Sequence, residues 1–178
     1  MTRTPIPGRF AWNHPAHLLA LGLGSGLSPW APGTVGTLWA WASFLVLDLW
    51  LDDLGWALLL AASTAVGVWA CTRTARDLDV ADPGAIVWDE IVAFWLVLWL
   101  VMPAPGWGQA VAFALFRFFD AVKRGPVGWA DRLFKRRPGE AIGWRQGVGI
   151  LFDDFVAAGC TLLVLALGVT AWRWTTTA

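Results

Sequence analysis

Hydrophobic positions in this chain come in long runs rather than on alternating faces. Five runs stand out: Val35–Leu51, Gly55–Cys71, Ile86–Met102, Trp107–Phe119 and Gly149–Trp172. None has the period-two alternation of a barrel strand. A membrane-crossing helix needs about 20 mostly apolar residues, within a range of roughly 17–25. The pattern therefore predicts five helical membrane segments, the short fourth one running on past Arg117 and Asp120. Turn formers punctuate the runs: Pro29, Pro32 and Gly33 before the first, and Pro103, Pro105 and Gly106 between the third and fourth. Pro126 and Pro138 fall in the longest polar stretch. Before the first run, Gly22-Leu-Gly-Ser-Gly26 is too rich in glycine for a stable helix. It is expected to form a half-helix or a loop dipping into the membrane. The Pro-rich stretch Met1–Pro15 has no apolar core of a signal peptide, so no cleavable signal is expected. The predicted fold class is all-α: a polytopic integral membrane helix bundle of about five segments, preceded by a short Gly-rich segment, in one domain over residues 1–178.

Composition narrows the class. The chain is 57% hydrophobic and only 15% charged, where a soluble chain carries about 25% charged residues. Thirteen basic and thirteen acidic residues leave no basic field for nucleic acid. Cys71 and Cys160 both lie in apolar runs, which excludes a disulfide framework. The 15 Trp against no Tyr suit a bilayer interface. Trp39, Trp41, Trp50, Trp56, Trp88, Trp107, Trp172 and Trp174 lie near run ends, as an interfacial belt or as filling for the bundle interior.

Lys and Arg placement sets sidedness. The N-terminal segment carries Arg3 and Arg9. The loop after the first run has Asp48, Asp52 and Asp53 but no cation. The next has Arg73 and Arg76, and Pro103–Gly106 is uncharged. The following loop is strongly basic, with Lys123, Arg124, Arg132, Lys135, Arg136, Arg137 and Arg145, and Arg173 stands alone in the tail. The alternation predicts an inside N-terminus, five crossings and an outside C-terminus. With that topology the remaining charged clusters gather at the cytoplasmic face: Arg73, Arg76 and Asp77; Asp89 and Glu90; Arg117 and Asp120; Asp153 and Asp154.

Ionisable groups at membrane depth cost about 2.5–3.5 kcal/mol each at a helix centre, so they need a partner or a metal. Arg117 and Asp120 are i,i+3 and share a helix face, which allows a purely structural salt bridge. Yet Asp89, Glu90, Asp120, Asp153 and Asp154 outnumber Arg117 and Lys123. Surplus carboxylates suit a hard divalent cation such as Mg²⁺. Adjacent acids point about 100° apart on a helix, so one of each pair faces the site. Asp153 and Asp154 near a helix N-terminus are also favoured by the macrodipole alone. An ion path through a non-catalytic membrane protein would instead spread its charges along the membrane depth.

Several phosphatase signatures are absent. Cys71 is followed at the sixth position by Asp77, not Arg, and Asp77-Leu-Asp79 continues with Val-Ala. The Gly22–Gly26 pattern lacks the preceding strand of a dinucleotide site. A set of ordered blocks over roughly Asn13–Gly159 carries a different resemblance: His17-Leu-Leu-Ala, Gly24-Ser-Gly-Leu-Ser-Pro, Pro32-Gly-Thr-Val-Gly36, Ile86-Val-Trp-Asp-Glu90, Phe116-Arg-Phe-Phe-Asp120 with Lys123 and Pro126, Trp129-Ala-Asp-Arg132, and Gly147-Val-Gly-Ile-Leu-Phe-Asp-Asp154. Together they resemble the phosphatidylglycerophosphatase A family. This chain departs from the pattern in a longer basic stretch at about Phe134–Gln146, and in Arg124-Gly-Pro126 after Lys123.

The resemblance implies a Mg²⁺-dependent phosphomonoester hydrolase acting on a membrane glycerophospholipid at the cytoplasmic face of a bacterial inner membrane. On that expectation Glu90, Asp153, Asp154 and Asp89 hold the metal. Arg117 and Lys123 neutralise phosphoryl oxygens, and Asp89 or Asp120 takes the acid–base or nucleophilic role. Direct water attack and an aspartyl-phosphate remain alternatives. Ser25, Ser28 and Thr34 are candidate substrate donors, and the glycines beside them are either amide donors to an anion or plain turn and packing residues. The basic loop Lys135–Arg137 suits topology, lipid attraction and substrate guiding. A phosphatase of another lipid phosphate, such as phosphatidate, is the nearest alternative.

Overall fold

The computed structural model describes residues 6–137 and 139–177. Arg3 and Pro138, used above, lie outside the described residues. Those described form helices and connecting loops, with no strand among them. In order they are α1 (Gly8–Trp12), α2 (Pro15–Ala20), a 3-10 turn (Gly22–Leu27), α3 (Pro32–Leu47), α4 (Asp53–Leu78), α5 (Trp88–Val101), α6 (Gly106–Val122), α7 (Gly125–Leu133) and α8 (Trp144–Thr177). Each of the five apolar runs becomes one helix: α3, α4, α5, α6 and α8. The fourth does continue past Arg117 and Asp120, to Val122.

Local chemistry sets the ends. Pro32 sits in the first turn of α3, where its missing N–H costs nothing. The Asp52 carboxylate accepts the Gly55 N–H at 2.8 Å and caps α4. Asp79 and Lys123 close α4 and α6 in the left-handed conformation.

Helix α5 is the hub, packed by α3, α4, α6 and α8. Its sequence is apolar all round apart from Asp89 and Glu90, the pattern of a helix buried on every side. Ile91, Val92, Ala93, Phe94, Val97 and Leu98 are all fully buried. An aromatic stack joins its neighbours: Phe44 on Trp56 at 4.6 Å and Trp88 against Trp95 at 5.8 Å between centroids. The buried indoles find acceptors, Trp88 Nε1 on the Ser63 carbonyl and Trp95 Nε1 on the Ala40 carbonyl, both at 3.0 Å. The tryptophans therefore divide. Trp56 and Trp88 are core; Trp39, Trp50, Trp107, Trp172 and Trp174 are exposed at run ends.

Two helices, α4 and α8, are long and apolar enough to cross a membrane, and α3 is a shorter apolar helix. Helix α5, with 14 residues, is about 21 Å long, short of a hydrocarbon core of about 30 Å. Large apolar side chains lie exposed around the bundle, among them Leu38, Leu45, Leu58, Val66, Leu100, Leu163 and Leu167.

One helix was not legible as such. Pro126 reads as a breaker, yet α7 forms around it because the proline occupies the helix's first turn. Val127 and Ala130 bury the inner face of α7, which packs on α8. The Gly-rich segment is a 3-10 turn, with Leu23 and Gly24 at positive φ inside it. It packs on the start of α5. A Cβ on Gly26 would run into the Ala85 carbonyl, and one on Gly22 would lie 2.7 Å from Val87 Cγ2.

Candidate active site

The charged residues at the N-terminal end of α5 meet those at the C-terminal end of α6. Arg117 and Asp120 lie one turn apart, and Arg117 Nη1 donates to Asp120 Oδ2 at 2.5 Å. The same nitrogen reaches across to Glu90 Oε1 at 2.9 Å. Thr37 Oγ1 of α3 is its third neighbour, at 3.5 Å. The Thr37 hydroxyl donates to the Gly33 carbonyl at 2.8 Å, so a lone pair is left to face the guanidinium. Helix α3 comes this close because Gly33 and Gly36 lack side chains. A Cβ on Gly33 would meet the Glu90 carboxylate, 2.8 Å from its Cδ, and one on Gly36 would lie 2.7 Å from Val87 Cβ.

A second centre adjoins the first. Lys123, at the end of α6, donates from Nζ to Asp153 Oδ2 of α8 at 2.5 Å and to Asp131 Oδ1 of α7 at 3.4 Å. Lys135 Nζ approaches the other Asp131 oxygen at 2.8 Å. Burial pulls the Asp131 carboxyl upward, but the hydrogen bond from Lys135 and the charge of Lys123 hold it below the usual carboxylate range. Asp153 and Asp131 open onto a cavity of about 260 Å³, also lined by Asp82, Lys135, Arg136, Gln146 and Phe134.

Between and behind these centres are carboxylate oxygens with no partner. Asp89 Oδ1, Glu90 Oε2 and Asp154 Oδ2 are buried and unbonded. Asp154 is only 2% exposed and lies within electrostatic reach of Asp120, Asp89, Asp153 and Glu90. Its neighbour Asp153 points instead to Lys123, as the 100° offset of adjacent helix residues requires. Unpaired buried carboxylate oxygens are costly, and a hard cation satisfies them. The donor set is all oxygen and fits such an ion. Among the described residues no three acids, histidines or cysteines are already gathered as a ligand shell.

The arrangement brings together Asp89, Glu90, Arg117, Asp120, Lys123, Asp153 and Asp154. It does not join the two serines to them. Ser25 Oγ donates to the Gly22 carbonyl and Ser28 Oγ to the Trp30 carbonyl, each at 2.8 Å. Their hydroxyl protons are spent within their own turns. The Gly24 and Gly26 amides both donate to the Leu21 carbonyl at 3.0 Å, so the glycines pack and turn rather than present a row of free amides. Thr34 is half-buried one residue from Gly33 at the α3 start, whereas Thr37, a turn further on, reaches Arg117. Thr37, Asp131, Asp82 and Gln146 were missed as site residues. Asp131 had a signal, since it lies in the Trp129–Arg132 block; the others had none in their local sequence. Arg73, Arg76 and Asp77 brace the fold beside the site. Asp77 accepts from His17 Nε2 and Arg73 Nε at 2.8 Å, and Arg76 Nε donates to the Ile142 carbonyl at 2.7 Å.

Residues 18–169 match the sequence model of a family described as Phosphatidylglycerophosphatase A. A protein of Escherichia coli (strain K12) named Phosphatidylglycerophosphatase A is 39% identical over 150 residues, covering 84% of this chain and 80% of the relative. One of the same name from Haemophilus influenzae is 38% identical over 156 residues, covering 85% and 87%. A Bacteroides thetaiotaomicron protein with the provisional name phosphatidylinositol-3-phosphatase is 34% identical over 163 residues, covering 88% and 92%. No solved structure matches the chain.

Proposed function

The chain belongs to the phosphatidylglycerophosphatase A family, and on that premise we propose that it removes the terminal phosphate of phosphatidylglycerophosphate to give phosphatidylglycerol. The observation that carries the reading is the pairing of Arg117 and Lys123 with surplus buried acids at one end of an apolar bundle. Phosphate-monoester hydrolysis is among the slowest uncatalysed reactions, so charge neutralisation must supply most of the acceleration.

Asp89, Glu90, Asp153 and Asp154 would hold Mg²⁺, with Asp120 in support; the orphaned oxygens of Asp89, Glu90 and Asp154 favour this set. Such an ion supplies Lewis-acid polarisation of the phosphoryl group. The remaining steps belong to the chain's own residues. Arg117 offers a planar fork to two phosphoryl oxygens, once its hold on Glu90 and Asp120 is shared with substrate. Lys123 neutralises a further oxygen beside Asp153. Asp120, whose Oδ2 is held by Arg117, takes the proton of the attacking water on its other oxygen as the new oxygen–phosphorus bond forms. The glycerol oxygen leaves as the old bond breaks, and Lys123 is the proton donor in reach of it.

The bundle sits in the bacterial inner membrane with α3, α4, α5, α6 and α8 embedded and this end at the cytoplasmic face. Support comes from the exposed apolar side chains around the helices and from the length of α4 and α8. It also comes from the cations at the site end, Arg73, Arg76, Lys123, Arg124, Arg132, Lys135, Arg136, Arg137 and Arg145, against Asp48, Asp52 and Asp53 at the other.

The test is phosphate release by the detergent-purified protein from phosphatidylglycerophosphate, phosphatidate and phosphatidylinositol 3-phosphate, with Mg²⁺ and with EDTA. Mg²⁺-dependent release favouring phosphatidylglycerophosphate is expected. Preference for either other lipid refutes the substrate, and release undiminished by EDTA refutes the ion.

A further inference from the structure

Helix α6 ends at a corner that carries two cations in succession. Lys123 turns the chain there in the left-handed conformation and sends its amine to Asp153 and Asp131. Arg124 follows with an extended backbone and lines a separate groove of about 320 Å³, together with Phe118, Phe119 and Val122 from the end of α6. Phe118 is 57% and Val122 39% exposed, and the Phe118 and Phe119 rings meet edge to face at 5.5 Å. Three apolar side chains and one cation make up the lining, with no acid among them. Arg124 is exposed, and among the described residues its guanidinium has neither a hydrogen bond nor an ion pair. By contrast Arg117, Lys123, Lys135 and Arg145 each hold a carboxylate.

An unpaired guanidinium beside bare aromatic rings is complementary to a ligand with an anionic head and an apolar body. A free phosphate would leave the rings unused, and a hydrocarbon would leave the arginine unused. A glycerophospholipid uses both. The substrate proposed above carries a terminal phosphate, a glycerol, a diester phosphate and then acyl chains. The corner repeats that order: Lys123 at the acids, then Arg124 with its Cα about 3.8 Å further along, then the apolar groove. We propose that this groove seats the substrate lipid, its diester phosphate on Arg124 and the first part of an acyl chain along Phe118, Phe119 and Val122. The inference rests on the reaction proposed above, with the terminal phosphate at Arg117 and Lys123. Arg124 is then a substrate-binding residue that sets affinity and takes no part in bond making.

The experiment compares the full chain with Arg124→Met, Arg124→Lys and Phe118→Ala. Arg9→Met, which removes an exposed arginine on α1, is the control for surface charge. KM and kcat are measured on phosphatidylglycerophosphate in mixed micelles. Kd for phosphatidylglycerol, which keeps the diester and the chains but has no reacting phosphate, is measured by counting bound lipid in native mass spectra. Arg124→Met is expected to raise KM and Kd about three- to tenfold, the loss of one cation beside a lipid phosphate, with kcat unchanged within about twofold. Arg124→Lys is expected to recover most of the loss, Phe118→Ala to raise both constants, and Arg9→Met to change neither. Parental KM and Kd in folded Arg124→Met protein overturn the seat, as does a fall in kcat alone. An equal rise in Arg9→Met overturns it too, because general surface charge then accounts for the effect. If the wild-type chain binds phosphatidylglycerol through Arg124 but does not hydrolyse phosphatidylglycerophosphate, the reaction fails and the seat stands. If it hydrolyses that lipid with parental constants in every variant, the seat fails and the reaction stands.

Discussion

Arg117 is the residue whose removal tests the site most directly. It is the cation between two carboxylates, 2.9 Å from Glu90 and 2.5 Å from Asp120, whose side chains are 12% and 9% exposed. Arg117→Met leaves two close, poorly solvated negative charges facing each other. Breaking a buried ion pair from one side costs about 3–5 kcal/mol. The Arg117 side chain is 19% exposed, which places the cost near the lower end, at about 3 kcal/mol. For a chain of this size 1 kcal/mol shifts Tm by about 2–4 °C, so a fall of roughly 6–12 °C is expected. If the guanidinium also neutralises phosphoryl oxygens, the rate of phosphate release falls by about 10²–10³ as well. The two effects separate in the triple variant Arg117→Met, Glu90→Gln, Asp120→Asn. It restores a neutral cluster and is expected to recover most of the Tm but none of the rate. Thermal unfolding in detergent and phosphate release from micellar lipid read the two quantities. A single variant that keeps both Tm and rate refutes the reasoning, and a single variant whose rate alone is normal makes Arg117 structural only.

Gly33→Ala and Gly36→Ala make a contrasting pair. The first pushes against the carboxylate end of Glu90 and is expected to lower activity far more than Tm; the second meets Val87 Cβ and is expected to cost about 1–3 kcal/mol of stability. Equal Tm losses in thermal melts count against this assignment. Lys123→Met removes the partner of Asp153 and is expected to cut the rate of phosphate release by about 10², with a smaller loss for Lys123→Arg; an active methionine variant refutes its role on the phosphoryl oxygens. Asp131 has a folded pKa below its unfolded value of 3.8, so its stabilisation is present above that pH and is lost as pH falls through the lower folded value. Asp131→Asn is therefore expected to lower Tm at pH 7, by about 0.5–1 kcal/mol in stability, and to match the parent once both are acidified below that range. A Tm gap independent of pH refutes it.

Much of this was legible along the chain because it depends on local order. The five apolar runs, their turn formers and the one-ended gathering of charge all follow from residue sequence alone. So does the Arg117–Asp120 contact, since i,i+3 spacing puts both on one helix face. Helix α7 was hidden because Pro126 reads alike as a breaker and as a first-turn residue, and only the burial of Val127 and Ala130 against α8 distinguishes the two.

The partners across helices belong to the tertiary structure. A run that is apolar all round, as in α5, has no face that predicts its rotation, so nothing local says that Glu90 rather than Asp89 meets Arg117. The same holds for Thr37 over Thr34, for Trp56 and Trp88 in the core rather than at an interface, and for Gln146 lining a cavity. Sequence determined which segments are apolar and which end carries the charge. Helix rotation and depth, set by close packing at Gly33 and Gly36 and by the aromatic stack on α5, decided which of those charges touch and which carboxylate oxygens are left without a partner.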